Sequence, residues 1–436
     1  MPHAEPAAAD SFPLSPAGPL LASLLTSGLS ALVAGLLSMT VPWALLSAGQ
    51  SASVAGTAAF ALQLPVALGM LLGGQLVDRV GRRRVLMLSN LLTAMLTGVA
   101  ALLAMGVGTD RLTVVAGIIA LLAAANFCGQ PGTLAQDARI PELARLAALP
   151  LERANGLRKI VMSLGMMGGP AAAVLLVAVI GLVWTLVIAA ELSVVIALVD
   201  AACFPAFRAK PRGDAGQTAR PILRDPLLGS VAAIGALLVA IFTAMDEIVA
   251  PNLVIASGMG AGDLALFLSI AGASVMLANL LFALLGPALG RSISHRGLFI
   301  GGVGVMWAGT LLLATLPPAL ALVVGPVLIG LGVGPLWPLV VTAIHRQVAP
   351  QDRGRVIGTL SAAVILAQPV AALAAGPAVD ILGAGAITWL IALLVGVALA
   401  MSIFCQCCGS FAGDRFCLNS KEPFPTVYID PNPASP

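Results

Sequence analysis

Charge is scarce in this sequence. Lys and Arg number 22 and Asp and Glu 19 in 436 residues, 9% together, where soluble domains carry about a quarter. Aromatic residues make up 4%, with a single tyrosine, and the basic residues form no basic domain interleaved with aromatics. A nucleic-acid interface is therefore not expected. The three histidines, His3, His295 and His345, lie far apart, so no histidine-based catalytic or metal constellation arises, and no metal or cofactor is expected. No Gly-x-x-x-x-Gly-Lys-Ser/Thr stretch is present, which removes an ATPase site of that type. The sequence offers no enzyme constellation, and any work it does must draw on an ion gradient or its cargo's own gradient. Of six cysteines, Cys405, Cys407, Cys408 and Cys417 crowd the C-terminal region, while Cys128 and Cys203 stand apart. No histidine accompanies the cluster, and reduced thiols are expected. The first 17 residues are rich in Ala and Pro, without Lys or Arg. They lack the basic start of a secretory signal and read as a disordered tail.

What fills the space is apolar. Hydrophobic residues are 59% and mean hydropathy is +1.03. Apolar runs of about 18 residues or more recur from end to end, each long enough to cross a bilayer as a helix. The two-residue alternation of a membrane barrel is missing. An all-α integral membrane protein follows, with twelve transmembrane helices predicted at 20–46, 54–77, 84–105, 112–134, 156–180, 183–204, 227–250, 264–289, 298–316, 319–344, 354–382 and 386–404. The sequence divides into an N-terminal tail (1–17), a six-helix bundle (18–205), a charged, Pro- and Gly-containing linker (206–226), a second six-helix bundle (227–408) and a polar C-terminal tail (409–436). Residues 136–159 read as a long charged loop. Every Lys and Arg except Arg111 falls in every second inter-helix segment or in the C-terminal tail. This bias predicts that those segments and both termini face the cytoplasm.

The halves repeat. Pro150-Leu151-Glu152-Arg153 matches Pro350-Gln351-Asp352-Arg353, Pro170 matches Pro369, and Gly181 matches Gly383, all about 200 residues apart. Equivalent helices run in the same direction, so the two bundles are parallel repeats about an axis along the membrane normal.

The densest charge lies in GGQLVDRVGRRRVL, residues 73–86. Its second-half partner, GPALGRSISHRG at 286–297, has lost the acid. Gly74, Leu76, Asp78, Arg79, Gly81, Arg82, Arg83 and Leu86 stand where the signature of the major facilitator superfamily has glycine, leucine, aspartate, arginine, glycine, arginine, a basic residue and leucine. The sequence resembles that superfamily of secondary transporters. A second likeness, to the bacterial exporters that include macrolide-efflux and enterobactin-export proteins, rests on Pro131, Ile140-Pro141-Glu142-Leu143, Ala154-Asn155-Gly156-Leu157 and Gly169-Pro170. In the second half it rests on Asp352-Arg353-Gly354-Arg355-Val356 and on Gly376, Asp380 and Gly383. Gly165, Gly169 and Pro170 partly match the Gly-Pro stretch of drug/proton antiporters. One departure stands out: many such exporters carry an arginine midway along the fourth helix, and here that region holds Asn126 and Gln130.

The resemblance implies two bundles that rock about a central site. It implies that Asp78 packs against the start of the eleventh helix, beside Arg353, Gly354 and Arg355, and so holds an inner gate shut. Intramembrane acids are costly and hence suspect. Asp246 and Glu247 in the seventh helix resist ionising together, as a proton-coupling site requires, although they sit near the predicted outer end. Glu191 in the sixth helix is a further coupling candidate, or a pairing or snorkelling residue. Asp200, Asp225 and Asp380 lie at helix ends and are expected to pack or cap. Cavity candidates are Thr40, Trp43, Gln63, Asn126, Gln130, Asn279, Trp337 and Gln368. The expectation is a monomeric transporter of a bacterial inner membrane. Its partners would be the lipid bilayer, a small-molecule substrate and protons, and its work the efflux of a hydrophobic or amphipathic compound such as a drug or siderophore. An importer or uniporter, or a transport-inactive sensor or scaffold, is the alternative.

Overall fold

In hydrocarbon each backbone N–H and C=O must find its partner within the protein, and a helix satisfies both locally. The computed structural model describes residues 17–107, 112–203, 226–347 and 350–404, and their side chains except at 75, 78, 107, 112, 152, 226–232, 286–292, 295, 342–359 and 404. The predicted tails, nearly all of the linker, Asp225 and the C-terminal cysteine cluster lie outside the described residues.

The elements are α1 (Gly18–Ser47), α2 (Ala52–Val80), α3 (Arg82–Val107), α4 (Leu112–Leu146), α5 (Leu151–Cys203), α6 (Pro226–Ala244), a π-helical turn (Met245–Val249), α7 (Ala250–Ala256), α8 (Ala261–Ser292), α9 (His295–Thr315), α10 (Pro318–Val333), α11 (Leu336–Gln347), α12 (Pro350–Leu382) and α13 (Ala384–Phe404). Eleven stretches among the described residues are long and apolar enough to cross a membrane. One of them, in α5, runs for 51 residues and breaks at Gly181, whose φ of 82° and ψ of 169° are not helical. Glycine takes that conformation without a Cβ clash. The two limbs of α5 are separate crossings, which brings the total to twelve.

α1 to α5 form one bundle and α6 to α13 the other. They join through α2 against α12 and α5 against α8. These are the second crossing against the eleventh and the fifth against the eighth, so the repeat generates one contact twice. The arginines of the α2–α3 turn mark one end of the molecule, here the basic end; the opposite end is the far end. In the far halves of the joining helices Ala55, Ala58, Ala59 and Leu62 of α2, Leu264, Phe267 and Leu268 of α8, and Ala372 and Ala375 of α12 are buried. In the basic halves Leu68, Leu71, Leu72 and Leu76 of α2, Leu277, Leu280, Leu281 and Leu284 of α8, and Leu157, Ile160 and Leu164 of α5 are exposed. The bundles thus close on each other at the far end and part toward the basic end.

Three local departures from the sequence reading bear on function. The expected loop at 136–159 is almost all helix: α4 continues to Leu146 and α5 starts at Leu151. Ile140, Leu143, Ala144 and Ala154 in this stretch pack on Leu20 and Leu24, and its Asp137 and Arg158 pair with each other, Arg139 with Asp200 of α5 and Glu142 with Arg82 of α3. The tenth span is broken at Gly334-Pro335 into α10 and α11, because proline has no N–H to continue the ladder. The seventh crossing extends to Ala256 rather than ending near 250. The π turn shifts the hydrogen-bond register just ahead of Pro251, with Ala250 N–H donating to the Met245 carbonyl, and Asn252 Nδ2 donates to the Ile248 carbonyl at 2.7 Å. The helix absorbs the proline instead of stopping at it.

Candidate transport site

The longer seventh crossing moves its two acids inward. Glu247 sits roughly 14 Å from the Ala256 end at about 1.5 Å per residue, well inside the membrane rather than at its edge. Gln63 lies roughly 17 Å from the Ala52 end of α2, at matching depth. The two meet across the bundle interface: Gln63 Nε2 donates to both carboxylate oxygens of Glu247. Gln63 Oε1 is buried and has no hydrogen-bond partner among the described residues. A π turn at this point fits the pattern in which such turns mark functional positions. Asp246, next in the chain, makes no hydrogen bond or ion pair among the described residues.

Asn126 of α4 supports the same stretch, its Nδ2 donating to the Leu62 carbonyl at 2.9 Å. Asn126 and Gln130 also line a cavity of about 50 Å³ in the first bundle, with Ser30, Asn90, Thr93 and Gln136. The other cavity candidates are dispersed. Thr40 bonds its own helix at the Leu36 carbonyl, 2.6 Å away, and Asn279 bonds the Val275 carbonyl at 3.0 Å. Trp43 is buried, Trp337 exposed and Gln368 half-buried. Glu191 is exposed on the second limb of α5, without a hydrogen bond or ion pair among the described residues.

At the basic end the motif is not a loop. Residues 73–80 are the last turns of α2, Gly81 (φ 94°) is the whole turn, and Arg82 opens α3. Gly74 has open space around it and Arg79 is exposed. Arg82 Nη1 pairs with Glu142 Oε1 at 2.6 Å, tying α3 to α4. Arg83 Nη2 donates to the Ala201 carbonyl at 2.8 Å, and in the second bundle Arg296 Nη2 donates to the Ile403 carbonyl. Each bundle's sixth crossing thus ends on an arginine, whose charge suits a helix C-terminus. Asp78 lies near the end of α2 and Arg353, Gly354 and Arg355 in the first turns of α12; their side chains are outside those described.

Gly165 and Gly169 form the crossing of α5 over α1. A methyl on Gly169 would stand 2.6 Å from the Leu32 carbonyl oxygen, and Pro170 packs on Gly35. Two buried or partly buried ion pairs escaped the sequence reading. Arg139 Nη2 lies 3.0 Å from Asp200 Oδ1, joining α4 to the end of α5, and Arg158 pairs with Asp137. The signal was present in the spacing, since Arg139 directly precedes the apolar Ile140 and Leu143 that share its buried helix.

The sequence profile of the Major Facilitator Superfamily matches residues 23–285. The protein belongs to the major facilitator superfamily. Multidrug efflux pump Tap of Mycobacterium tuberculosis is 29% identical over 398 residues, covering 89% of this chain and 91% of that one. The Tap pump of Mycolicibacterium fortuitum is 28% identical over 379 residues, 84% and 90% of the two chains. Among solved structures, a mutant of the nucleoside transporter NupG superposes with a TM-score of 0.73 at 14% identity, over 88% of this chain and 99% of that one. A D-xylose–proton symporter gives 0.64 at 15% identity, over 88% and 97%. The fold of this facilitator is that of a multi-pass transporter of small molecules, not an enzyme.

Proposed function

We propose that this facilitator is a proton-coupled exporter of a hydrophobic or amphipathic small molecule, with the basic end and both termini in the cytoplasm of a bacterial inner membrane. The observation that carries the reading is the Gln63–Glu247 bridge. It is a carboxylate at mid-depth, held by the opposite bundle through an amide that brings no charge. An intramembrane carboxylate without a cation is costly, so its protonation state and the packing of the bundles are linked. A proton on Glu247 supplies the donor that Gln63 Oε1 lacks, so the protonated pair is fully bonded across the interface. Proton loss leaves an ionised acid in an apolar seam and favours separation of the bundles. Alternating access about this seam then exchanges a proton for cargo. The Tap pumps, named for multidrug efflux, support the direction and the kind of cargo.

The test is transport in proteoliposomes with an imposed proton gradient. Glu247→Gln is expected to lose gradient-driven transport while retaining cargo-for-cargo exchange, because the bundles still rock but nothing titrates between them. Gradient-driven transport at the wild-type rate in that variant overturns the proposal.

A further inference from the structure

Asp380, which lies at a helix end and is expected from sequence to pack or cap, caps a helix of the other bundle. It lies in the last turn of α12 at the far end, where α2 begins. Its Oδ1 accepts from Ala52 N–H at 2.8 Å and its Oδ2 from Ser53 N–H at 2.8 Å. The Ser53 hydroxyl donates to Oδ2 as well. The first N–H groups of a helix have no partner within it. In α2 the N-cap, Ser51, takes only the Val54 N–H through its side chain. The Ala52 and Ser53 groups are left for Asp380, whose negative charge also suits a helix N-terminus.

The contact forms only where the backbones touch. A methyl on Gly56 would stand 2.6 Å from the Ala372 carbonyl oxygen, and Gly376 lies against the Ala52 carbonyl and the Ser53 Cα. At the equivalent far-end helix start in the second bundle, no hydrogen bond to a side chain of the other bundle is found among the described residues. There Asp263 of α8 accepts from the Gly260 N–H at 2.9 Å, within its own bundle. The repeat mate of Asp380, counted from the Gly181–Gly383 match, is Ala178, which cannot cap anything. The device is therefore single, and it spans the two bundles.

We propose that Asp380 is the far-end latch of the transporter, a carboxylate of the second bundle that caps α2 of the first while the far end is closed and releases it when that end opens. On release, Ala52, Ser53 and Asp380 all pass to water, so the latch biases the equilibrium without locking it. The inference rests on the two bundles rocking apart at the far end. It needs neither proton coupling nor outward direction.

The test uses the full chain, made cysteine-free, in lipid nanodiscs, with one reporter cysteine at Ala55, buried beside Gly56 at the closed seam. A second reporter, Leu122→Cys, is buried inside the first bundle. Maleimide labelling at the Ala55 position is expected to rise about tenfold in Asp380→Ala, an effect of the size of a charge-assisted cap. Asp380→Asn, which keeps an acceptor without the charge, should fall between that variant and the parent, and labelling of the Leu122 reporter should not change. Unchanged labelling at Ala55 overturns the latch, and so does an equal rise at both reporters, which would mark general loosening. A selective rise at Ala55 in a protein whose Glu247→Gln variant transports normally would uphold the latch and sink the coupling proposal alone.

Discussion

Arg139 and Asp200 form an ion pair in which 3% and 1% of the two side chains remain exposed. Arg139 Nη2 also donates to Thr26 Oγ1 at 3.2 Å, so one guanidinium holds α1, α4 and the end of α5 together. Removing one member of a buried pair strands the other, at a cost of about 3–5 kcal/mol, whereas replacing both with apolar residues is often neutral. Asp200→Ala is expected to lower the thermal midpoint of the purified protein sharply. The double variant Arg139→Met with Asp200→Leu should recover most of the loss. A double variant as unstable as the single would show that the pair does more than neutralise itself.

The α1–α5 crossing gives a sharper contrast between two adjacent positions. A methyl on Gly169 meets the Leu32 carbonyl oxygen at 2.6 Å and the Gly35 Cα at 2.8 Å, both backbone atoms, while a methyl on Gly168 meets only a flexible Leu32 methyl at 3.7 Å. Gly169→Ala should therefore cost about 1–3 kcal/mol as overpacking, and Gly168→Ala should stay within about 0.5 kcal/mol of the parent. Thermal unfolding in detergent separates the two. Similar midpoints for both would mean that the helices slide apart without penalty.

Arg83 and Arg296 cap the sixth crossing of their respective bundles. Each contact should contribute about 0.3–1 kcal/mol as a cation at a helix C-terminus. Arg83→Gln and Arg296→Gln should each lower the unfolding midpoint slightly. The double variant should show the sum of the two, because sites in separate bundles share no partner. A double variant that melts no lower than the more damaging single variant would show instead that the two bundles unfold as separate units.

Much of the fold could be read directly: apolar runs give spans, and matched Pro and Gly positions give the repeat. Most of what could not be read involved partners distant in sequence. Residues 136–159 look like a loop because charge in a greasy sequence suggests water. Arg139 and Arg158 are charged, yet they face Asp200 and Asp137 rather than solvent. Pro251 looks like a helix end because the π turn before it leaves no mark in composition. Glu247 and Gln63 were both visible as odd polar residues in apolar helices, but nothing in the sequence pairs residues from opposite halves. Asp380 was visible as a capping acid; the helix it caps begins more than 300 residues earlier.

Asp78 is tied by resemblance to the start of α12. If it holds the basic end shut as Asp380 holds the far end, α2 is gripped at alternate ends in alternate states. Asp78→Asn is then expected to abolish transport while leaving membrane insertion and expression intact, and Asp380→Ala to shift the balance of states the opposite way. Full transport by Asp78→Asn in vesicles would remove the gating role.

The Gln63–Glu247 bridge can be tested by exchanging its members. Gln63→Glu alone sets two carboxylates face to face at mid-depth, where each disfavours the other's charge and neither has a cation. Glu247→Gln alone keeps a neutral bridge with nothing to titrate. The double variant, Gln63→Glu with Glu247→Gln, restores one acid and one amide at the same seam and only reverses which bundle carries the acid. If what matters is a single titratable group shared across the interface, the double variant should recover cargo-driven proton movement well above either single variant. Interaction energies of contacting residues commonly reach about 0.5–3 kcal/mol, so the recovery should be several-fold. If instead Glu247 acts through neighbours on its own helix, such as Asp246, moving the acid to α2 would not help. The double variant would then be no better than Glu247→Gln.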